Sequence, residues 1–414
     1  MVSYFQSLGR SIEEAWRDCG YSEEIFPQLV AEELAKRPPA EHVTVTEIMD
    51  WLFSPLQAFR QPGNERLFGE PPVMVFQGPR FYIEVLFWRS GTTEIHEHSF
   101  SGAFAVLSGS SVHSHWKFTP DLMINSRMLK GRLNRVSTEI LRPGGIRPIC
   151  SGDQLIHQLF HLDLPSVTVV VRTYVDRHHL PQYRYLPPGL AIESDDRDAT
   201  RTRRLMLIDG MARGQLEGLS KYGRKLIENG DLETLHYMFL TLTQRKVDKD
   251  LLEDLYGFAR RIHGDIVDLF RQVCEWDRRT RIVIKLRAKI SDPGQRFLLA
   301  LLMLMPDRDA IFDTLRLQFP DTEPLSAIEK WLEGMSGKET IGFDLNDINR
   351  VLFRGLVEGL GAEELLQRLR AEFDENAIDA QRDRLVDHVK ALASSDLLYP
   401  LLSRSPLRQG ALQV

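Results

Sequence analysis

The pattern of apolar and polar positions divides the chain into three parts. Residues 1–70 show the three- and four-residue apolar spacing of short amphipathic helices. From Val73 to about Tyr185, short runs rich in Val, Ile, Phe and Tyr are separated by turn signals such as QGP, RPGG and SGD. The helical spacing returns over residues 204–403. We therefore predict an α+β protein of several domains.

The middle part predicts a β-barrel. About eight short strands with Gly- and Pro-containing turns are typical of an antiparallel barrel or jelly roll, whose interior can hold a small ligand or a metal. A Pro-Pro-Gly turn followed by a polar, charged run marks residues 186–203 as a linker. We expect a helical segment over residues 1–70, a barrel over 71–190 and an all-α domain over 204–403.

Composition narrows the class of partner. Of the 414 residues, 43% are apolar and 27% are charged, as in soluble globular proteins, and the net charge of -6 argues against nucleic acid as a partner. The longest apolar run, at 297–305, is too short to cross a membrane. Three scattered cysteines and an N-terminus unlike a signal peptide predict a cytoplasmic protein. Homo-oligomer formation stays open.

Two histidines are the first candidates for chemistry. His96 and His98 stand two residues apart in the strand-like run TTEIHEHSF, and a strand directs residues i and i+2 to the same face. Two imidazoles aimed at one point are a good start for a first-row metal site, which needs at least one further ligand. The best candidate for that ligand is His157, in the later segment GDQLIHQLFH.

More histidines lie near these three in sequence. Six of the 12 histidines fall between residues 96 and 161. His161 follows His157 at an even strand offset and is the reserve ligand. His113 and His115 repeat the two-residue spacing and could bind substrate or support the pocket, although an exposed strand face is the simpler interpretation.

The stretch GTTEIHEHSFSGAFAVLSG resembles the first cupin motif, in which a Gly precedes HxH and a terminal Gly follows; here Gly91 stands five positions before His96. The glutamate ligand that often follows the second His is absent, because Gly102 and Ala103 occupy its positions. HxH without glutamate, followed by a late His, resembles the cysteine dioxygenase-like branch of the cupins. Tyr174 stands seventeen residues after His157, as a catalytic Tyr does in that family. The matching residues are Trp88, Ile95, His96, His98, Ser101, Leu107, Gly109, His157 and Tyr174.

The resemblance covers roughly residues 73–190 and implies a cupin jelly roll with one Fe(II) bound by three histidines. It implies an oxygenase that uses O2 and a small polar substrate, such as a thiol or an amino-acid derivative. It also implies a hydrogen-bonding role for Tyr174 and an arginine for the substrate carboxylate, for which Arg66 and Arg80 are candidates. Because Ni, Mn and Zn also accept three histidines, the metal stays open.

The chain departs from this family around the expected substrate. Val170 and Arg172 replace the Ser and His that precede the family's Tyr, Ala103 replaces a cysteine that some members crosslink, and His161 replaces an Asn. Arg172 shares a strand face with Tyr174 and could clamp a substrate carboxylate, although a surface ion pair is equally compatible.

Two other functions remain open. The chain could be a non-catalytic metal-binding cupin that senses a small molecule and signals through its helical domain. It could also be a cupin isomerase or lyase that uses Zn, Ni or Mn as a Lewis acid. Metal identity and reaction with O2 separate the oxygenase from both.

Overall fold

The computed structural model describes residues 1–54, 61, 69–89, 94–174, 180–194, 198–337 and 340–409. The chain forms two compact units, Met1–Arg278 and Arg279–Val414. Within the described residues it is a mixed α/β protein with a closed β-barrel, and many of its helices lie in the C-terminal half. The expected combination of barrel and helices is confirmed at this level.

Helices begin the first unit, as the sequence predicts. They are α1 (Val2–Asp18), α2 (Phe26–Lys36), α3 (Pro39–His42) and α4 (Val45–Leu52). The capping box at the start of α4 pairs Thr44 with Glu47. The apolar faces of α1 and α2 are buried against the strands that follow, where Trp16 and Phe26 pack on Phe81.

Eleven strands follow among the described residues, rather than about eight. They are β1 (Pro72–Gln77), β2 (Phe81–Trp88), β3 (Ile95–His98), β4 (Gly102–Ser108), β5 (Ser111–Asn125), β6 (Met128–Leu141), β7 (Ile146–Ile149), β8 (Gly152–His161), β9 (Ser166–Thr173), β10 (Tyr183–Leu186) and β11 (Leu190–Glu193).

The strands form two layers. One is a five-stranded sheet in the order β1-β2-β9-β4-β7, and the other is a closed barrel in the order β10-β11-β6-β5-β8-β3. Every pair of neighbouring strands is antiparallel. Helices α1 and α2 cover one face of the sheet, so its other face is left to form a cavity with the barrel strands β3 and β8.

The predicted linker at 186–203 is wrong where the structure describes it. The Pro-Pro-Gly turn joins β10 to β11 in an antiparallel hairpin. The residues after the turn form a strand of the barrel rather than a linker, because Leu190 and Ile192 are buried in an apolar core. Gly189 is required there, since a Cβ atom would lie 1.9 Å from the carbonyl oxygen of Gly131. The next helix begins at Ala199, directly after its capping residue Asp198.

Five helices follow in the chain. They are α5 (Ala199–Ala212), α6 (Leu219–Asn229), α7 (Leu232–Arg245), α8 (Lys249–His263) and α9 (Ile266–Arg287). Helices α5–α8 share an apolar core with the barrel residues Met128, Leu190 and Ile192. The predicted domains, residues 1–70, 71–190 and 204–403, therefore have other boundaries than the two compact units. Whether the predicted domains fold independently stays a prediction.

A buried ionic cluster reinforces this shared core. Arg201 of α5 pairs with Glu233 of α7 at 2.6 Å, and Arg127 of the barrel reaches the same carboxylate at 2.8 Å. Arg201 and Glu233 are both almost fully buried. Removal of Glu233 would leave the buried Arg201 with only the half-exposed Asp231 as an acidic partner, so we expect that change to be destabilising.

The second unit is helical in its described residues. After the end of α9, its helices are α10 (Pro293–Leu304), α11 (Arg308–Gln318), α12 (Pro324–Gly334), α13 (Asp347–Glu358), α14 (Ala362–Glu372), α15 (Glu375–Ala380), α16 (Arg382–Ala393) and α17 (Pro406–Gln409). The apolar run at 297–305 is buried core, as expected, apart from the partly exposed Met303. No helix in the described parts of the chain has both the length and the apolar character needed to span a membrane.

Candidate metal centre

Strand β3 positions the first two candidate ligands. Its odd-numbered residues face the barrel interior, where Ile95 is buried and Glu97 accepts a hydrogen bond from the hydroxyl of Tyr185 at 2.5 Å. His96 and His98 point to the opposite side and line the cavity between the barrel and the sheet. The shared face predicted for the two histidines is therefore present.

Strand β8 brings the third imidazole to the same place. His157 lies opposite His96 in the register of β3 and β8, while His98 lies opposite Gly152 after a bulge. Gly152 has φ of +68°, a conformation that favours glycine. The Nε2 atoms of His98 and His157 are 2.8 Å apart, and the three histidines offer ring nitrogens within 4.8 Å of one another.

Hydrogen bonds orient two of the three rings. Nδ1 of His96 lies 3.0 Å from the carbonyl oxygen of Glu94, to which it can only donate, so its Nε2 carries a lone pair. Nδ1 of His157 lies 3.0 Å from Nε2 of His113, which leaves the Nε2 of His157 directed at the cluster. Nδ1 of His98 is buried and has no hydrogen-bond partner among the described residues.

Burial keeps these imidazoles neutral. It lowers the pKa of His96, and it holds the pKa values of His98 and His157 well below the usual range. Neutral imidazole is the form that binds a metal. A buried group of three neutral donors therefore has the chemistry of a transition-metal site.

The spacing of the nitrogens also fits a metal ion. Two metal–nitrogen bonds of about 2.0–2.1 Å at right angles place their nitrogens about 3 Å apart. The 2.8 Å between Nε2 of His98 and Nε2 of His157 is close to that value. A shared cation would satisfy both lone pairs, which would otherwise compete for one proton. The buried three-histidine group could therefore hold a metal ion.

The cavity beside the cluster is small and mainly apolar. Its volume is about 60 Å³, which gives room for about four water molecules. The polar or charged residues on its wall, apart from the three histidines, are Glu84, His161, Thr168 and Arg172. Aromatic and aliphatic side chains such as Phe100 and Leu86 form most of the remaining wall. A ligand of this cavity must be compact and must tolerate apolar surroundings.

Arg172 places a guanidinium in the cavity wall, on the same strand face as Val170. It lies 3.5 Å above the ring of Phe100, whose other contacts include His98. Its Nη1 contacts Glu84 at only 3.4 Å, and its buried Nε has no hydrogen-bond partner in the part of the chain that the structure describes. The hydrogen bonding of this guanidinium is therefore incomplete among the described residues, and an anionic ligand in the cavity could complete it.

Tyr174 does not join the cluster. It lies just beyond the last residue of β9, and its hydroxyl donates to the carbonyl of Gly78 at 2.9 Å. Its ring packs against Tyr82 and 42% of its surface is exposed. The alternation that places Val170 and Arg172 on the cavity wall does not extend to Tyr174, because the strand ends at Thr173.

His161, the reserve ligand, lies on the cavity wall but apart from the three-histidine group. Its ring stacks on Trp88 with centroids 5.0 Å apart, and its Nδ1 is 2.8 Å from the hydroxyl of Ser111. As the even offset in the strand predicts, His157 and His161 face the same side and both line the cavity. The metal-capable groups found among the described residues do not include His161.

The second histidine pair lies on β5, on the side of His157 that faces away from His98. His113 is fully buried, so the simpler interpretation of an exposed strand face is wrong for this residue. Its Nε2 contacts His157 and its Nδ1 contacts Glu139 at 3.1 Å. His115 is partly buried, and its Nε2 has no partner among the described residues.

Of the two upstream arginines proposed for a substrate carboxylate, only Arg80 falls within the described residues. Arg80 lies over the ring of Tyr21 at 4.1 Å, on the side of the sheet covered by the N-terminal helices, and it does not line the cavity. Arg66 falls outside the described residues.

Glycine at position 102 explains the missing glutamate ligand. β4 approaches β9 so closely that a Cβ atom at Gly102 would lie 1.9 Å from the carbonyl oxygen of Val171. Ala103 faces the core beneath α1 and α2 rather than the cavity. Neither position can therefore supply a carboxylate to the three histidines.

Two acidic residues of this region have no counterpart in the sequence prediction. Glu84 is an isolated acid in the apolar strand run FYIEVLFW, a pattern that could have drawn attention to it. Burial raises its pKa. Glu139 stands in an ordinary strand with alternating polar residues, and only the pairing of β5 with β6 places it opposite His113.

No protein-family model and no curated protein matches the chain. The six-stranded antiparallel barrel and the three-histidine group are compatible with a cupin-like fold.

Proposed function

We propose that the protein is a metal-dependent oxygenase with a cupin jelly-roll fold, similar to the three-histidine thiol dioxygenases. The observation that carries the proposal is the group formed by His96, His98 and His157, with two Nε2 atoms 2.8 Å apart in a buried cavity. Fe(II) is the proposed metal, and Ni, Mn and Zn are the alternatives. When bound, such a metal supplies Lewis acidity and, as Fe(II), the capacity to react with O2.

Three neutral ligands favour an anionic substrate group at the metal. Because no carboxylate contributes to the group, the site keeps the full positive charge of the ion, which attracts a thiolate or enolate. The imidazole rings come from paired strands, so their positions are rigid. The apolar wall limits water around the reacting groups.

Arg172 is the proposed anchor for the substrate. Its unpartnered Nε and weak contact with Glu84 leave donors for a carboxylate of the ligand. Because the cavity wall is mainly apolar, we propose a compact substrate with one anionic end and an apolar body, rather than a polar molecule. Tyr174 remains a predicted catalytic residue, although its observed contacts do not favour that role.

One observation favours the sensor as a second candidate. Arg184 lies opposite His96 in the pairing of β10 with β3, and its Nη2 donates to the hydroxyl of Tyr237 on α7 at 2.9 Å. Its Nη1 also lies 3.7 Å from the carboxylate of Glu94, whose carbonyl orients His96. A short series of contacts thus connects His96, a proposed metal ligand, to helix α7 of the same unit.

Metal content and O2 uptake test the proposal. We expect protein purified without added metal to hold one equivalent of iron, and to consume O2 when a thiol from a small panel is supplied. Protein with His98→Ala should lose both properties. Bound metal without O2 uptake for any thiol would favour the sensor or the Lewis-acid enzyme, and failure to bind any divalent metal would refute all three.

A further inference from the structure

A series of hydrogen-bonded polar side chains leads from strand β7 of the five-stranded sheet to the three-histidine group. Arg147 of β7 donates to Glu139 of β6 through Nε at 2.8 Å and also through Nη2. Glu139 lies 3.1 Å from Nδ1 of His113 on β5, and Nε2 of His113 lies 3.0 Å from Nδ1 of His157 on β8. Four strands each contribute one member of this series.

The hydrogen bonds of this series can be arranged in one direction only, from His157 through His113 to Glu139. Hydrogen bonds from His113 and Arg147 lower the pKa of Glu139 to about 2, so this carboxylate only accepts. Nδ1 of His113 must then donate, which leaves its Nε2 as an acceptor. Nδ1 of His157 must therefore donate to His113, and its lone pair lies on Nε2, the atom that faces His98.

We propose that Glu139 and His113 are positioning residues, which hold His157 in the tautomer and orientation that bind the metal. This proposal rests on the metal centre proposed above. A metal-bound histidine usually donates its second N–H to an acceptor that fixes the ring and raises its basicity. Here the acceptor is a second imidazole, which a carboxylate polarises in turn.

Burial makes the series hard to replace. His113 and His157 are 0% and 3% exposed, so solvent does not offer the Nδ1 of His157 an alternative acceptor. Without Glu139, His113 would be free to place its proton on Nε2, opposite the N–H of His157. Such a conflict would turn the His157 ring or move its proton onto the metal-facing nitrogen.

Two residues of this series also belong to a second metal-capable group, but the charges argue against metal binding there. His113, His115 and Glu139 also form a group with metal-capable atoms close together. Arg147 occupies both oxygens of Glu139 and places a positive charge beside them. His113 already uses both ring nitrogens. The group is therefore better suited to support His157 than to bind an ion.

Metal affinity is the first test. We expect Glu139→Gln and His113→Phe to weaken Co(II) binding by about 10–100-fold, as loss of such supporting contacts does elsewhere. His113→Phe should have the larger effect, because it leaves the N–H of His157 without an acceptor. Asp121→Asn is the matched control, since it removes a carboxylate of β5 whose ionic contact is the exposed Arg132. The Co(II) absorption spectrum should change in Glu139→Gln and His113→Phe but not in Asp121→Asn.

Equal affinities and spectra in all three variants would overturn the proposal. A thermal melt of each variant separates misfolding from loss of metal binding. Glu139 is partly exposed, so Glu139→Gln should fold even if His113→Phe does not.

Histidine nitrogen NMR of the metal-free protein is the second test, and it does not depend on metal binding. We expect the His157 ring to carry its proton on Nδ1, and Glu139→Gln to reduce that preference. A wild-type His157 protonated on Nε2 would overturn the proposed series. If the wild type bound no metal and yet showed the Nδ1 proton, the metal centre would be refuted and the series would survive as a structural feature.

Discussion

Two histidine pairs with the same spacing have different surroundings. His96 and His98 on β3 face His157 across an apolar cavity, and no carboxylate belongs to their group. His113 and His115 on β5 face Glu139, which Arg147 holds in an ion pair. Strand alternation gives both pairs a common face, so spacing alone does not distinguish a candidate ligand pair from a supporting pair.

The strand between the two pairs accounts for the difference. β8 pairs with β3 on one side and with β5 on the other, and His157 lies opposite His96 and His115 in the two registers. Its Nε2 points to the first pair and its Nδ1 to the second. One imidazole therefore has a side suited to a metal and a side suited to a hydrogen-bond acceptor.

The largest expected difference is in metal occupancy. We expect His96→Ala, His98→Ala and His157→Ala each to weaken metal binding on the order of 100-fold or more, because a site of three ligands becomes a site of two. His115→Ala should stay within about threefold of wild type, because its buried Nε2 has no hydrogen-bond partner among the described residues. Elemental analysis after dialysis against a weak chelator measures both.

Full occupancy in the His157→Ala protein would break the comparison. It would move the third ligand to His161, the nearest histidine on the same face of β8.

Arg172 sharpens the comparison, because it lines the cavity of the first pair only. We expect Arg172→Ala to keep the metal and to raise the KM for an anionic substrate by roughly 10–100-fold, with a smaller change in kcat, since a carboxylate clamp acts in ground and transition states alike. The exposed Arg132→Ala is the control. Steady-state O2 uptake with the substrate found in the thiol panel measures the effect. An unchanged KM would remove Arg172 from the substrate site.

Removal of Arg147 tests why the second pair is not a metal site. Arg147→Ala frees the carboxylate of Glu139 beside His113 and His115. We expect a second, weaker equivalent of Zn(II) to bind, because the competing cation is gone and the Glu139 oxygens that it occupied are released. Isothermal titration should show a stoichiometry that rises above one at high Zn(II). A stoichiometry that stays at one would mean that the geometry, rather than Arg147, prevents binding.

Local pattern predicted most of the strands and helices and the common face of His96 and His98. It did so because strand alternation and helical period are local properties of the chain. Register is harder to predict: the pairing of His113 with Glu139 depends on three register shifts between this pair and the turn that joins β5 to β6. The approach of Arg172 to Glu84 likewise depends on the pairing of β2 with β9. The sequence therefore predicted the three-histidine group better than the residues that support it.

The smallest expected effect concerns Tyr174, the residue at which alternation fails. Its hydroxyl donates to the carbonyl of Gly78 rather than into the cavity, and the side chain is partly exposed. Tyr174→Phe should therefore lower the free energy of unfolding by at most about 1 kcal/mol, as loss of one solvent-accessible hydrogen bond does, and should leave metal binding unchanged. Chemical denaturation and the O2-uptake assay measure the two quantities together. A fall in turnover of about 10-fold or more, without loss of metal, would show that the hydroxyl acts on the substrate as the family resemblance implies, and that it leaves Gly78 when substrate binds.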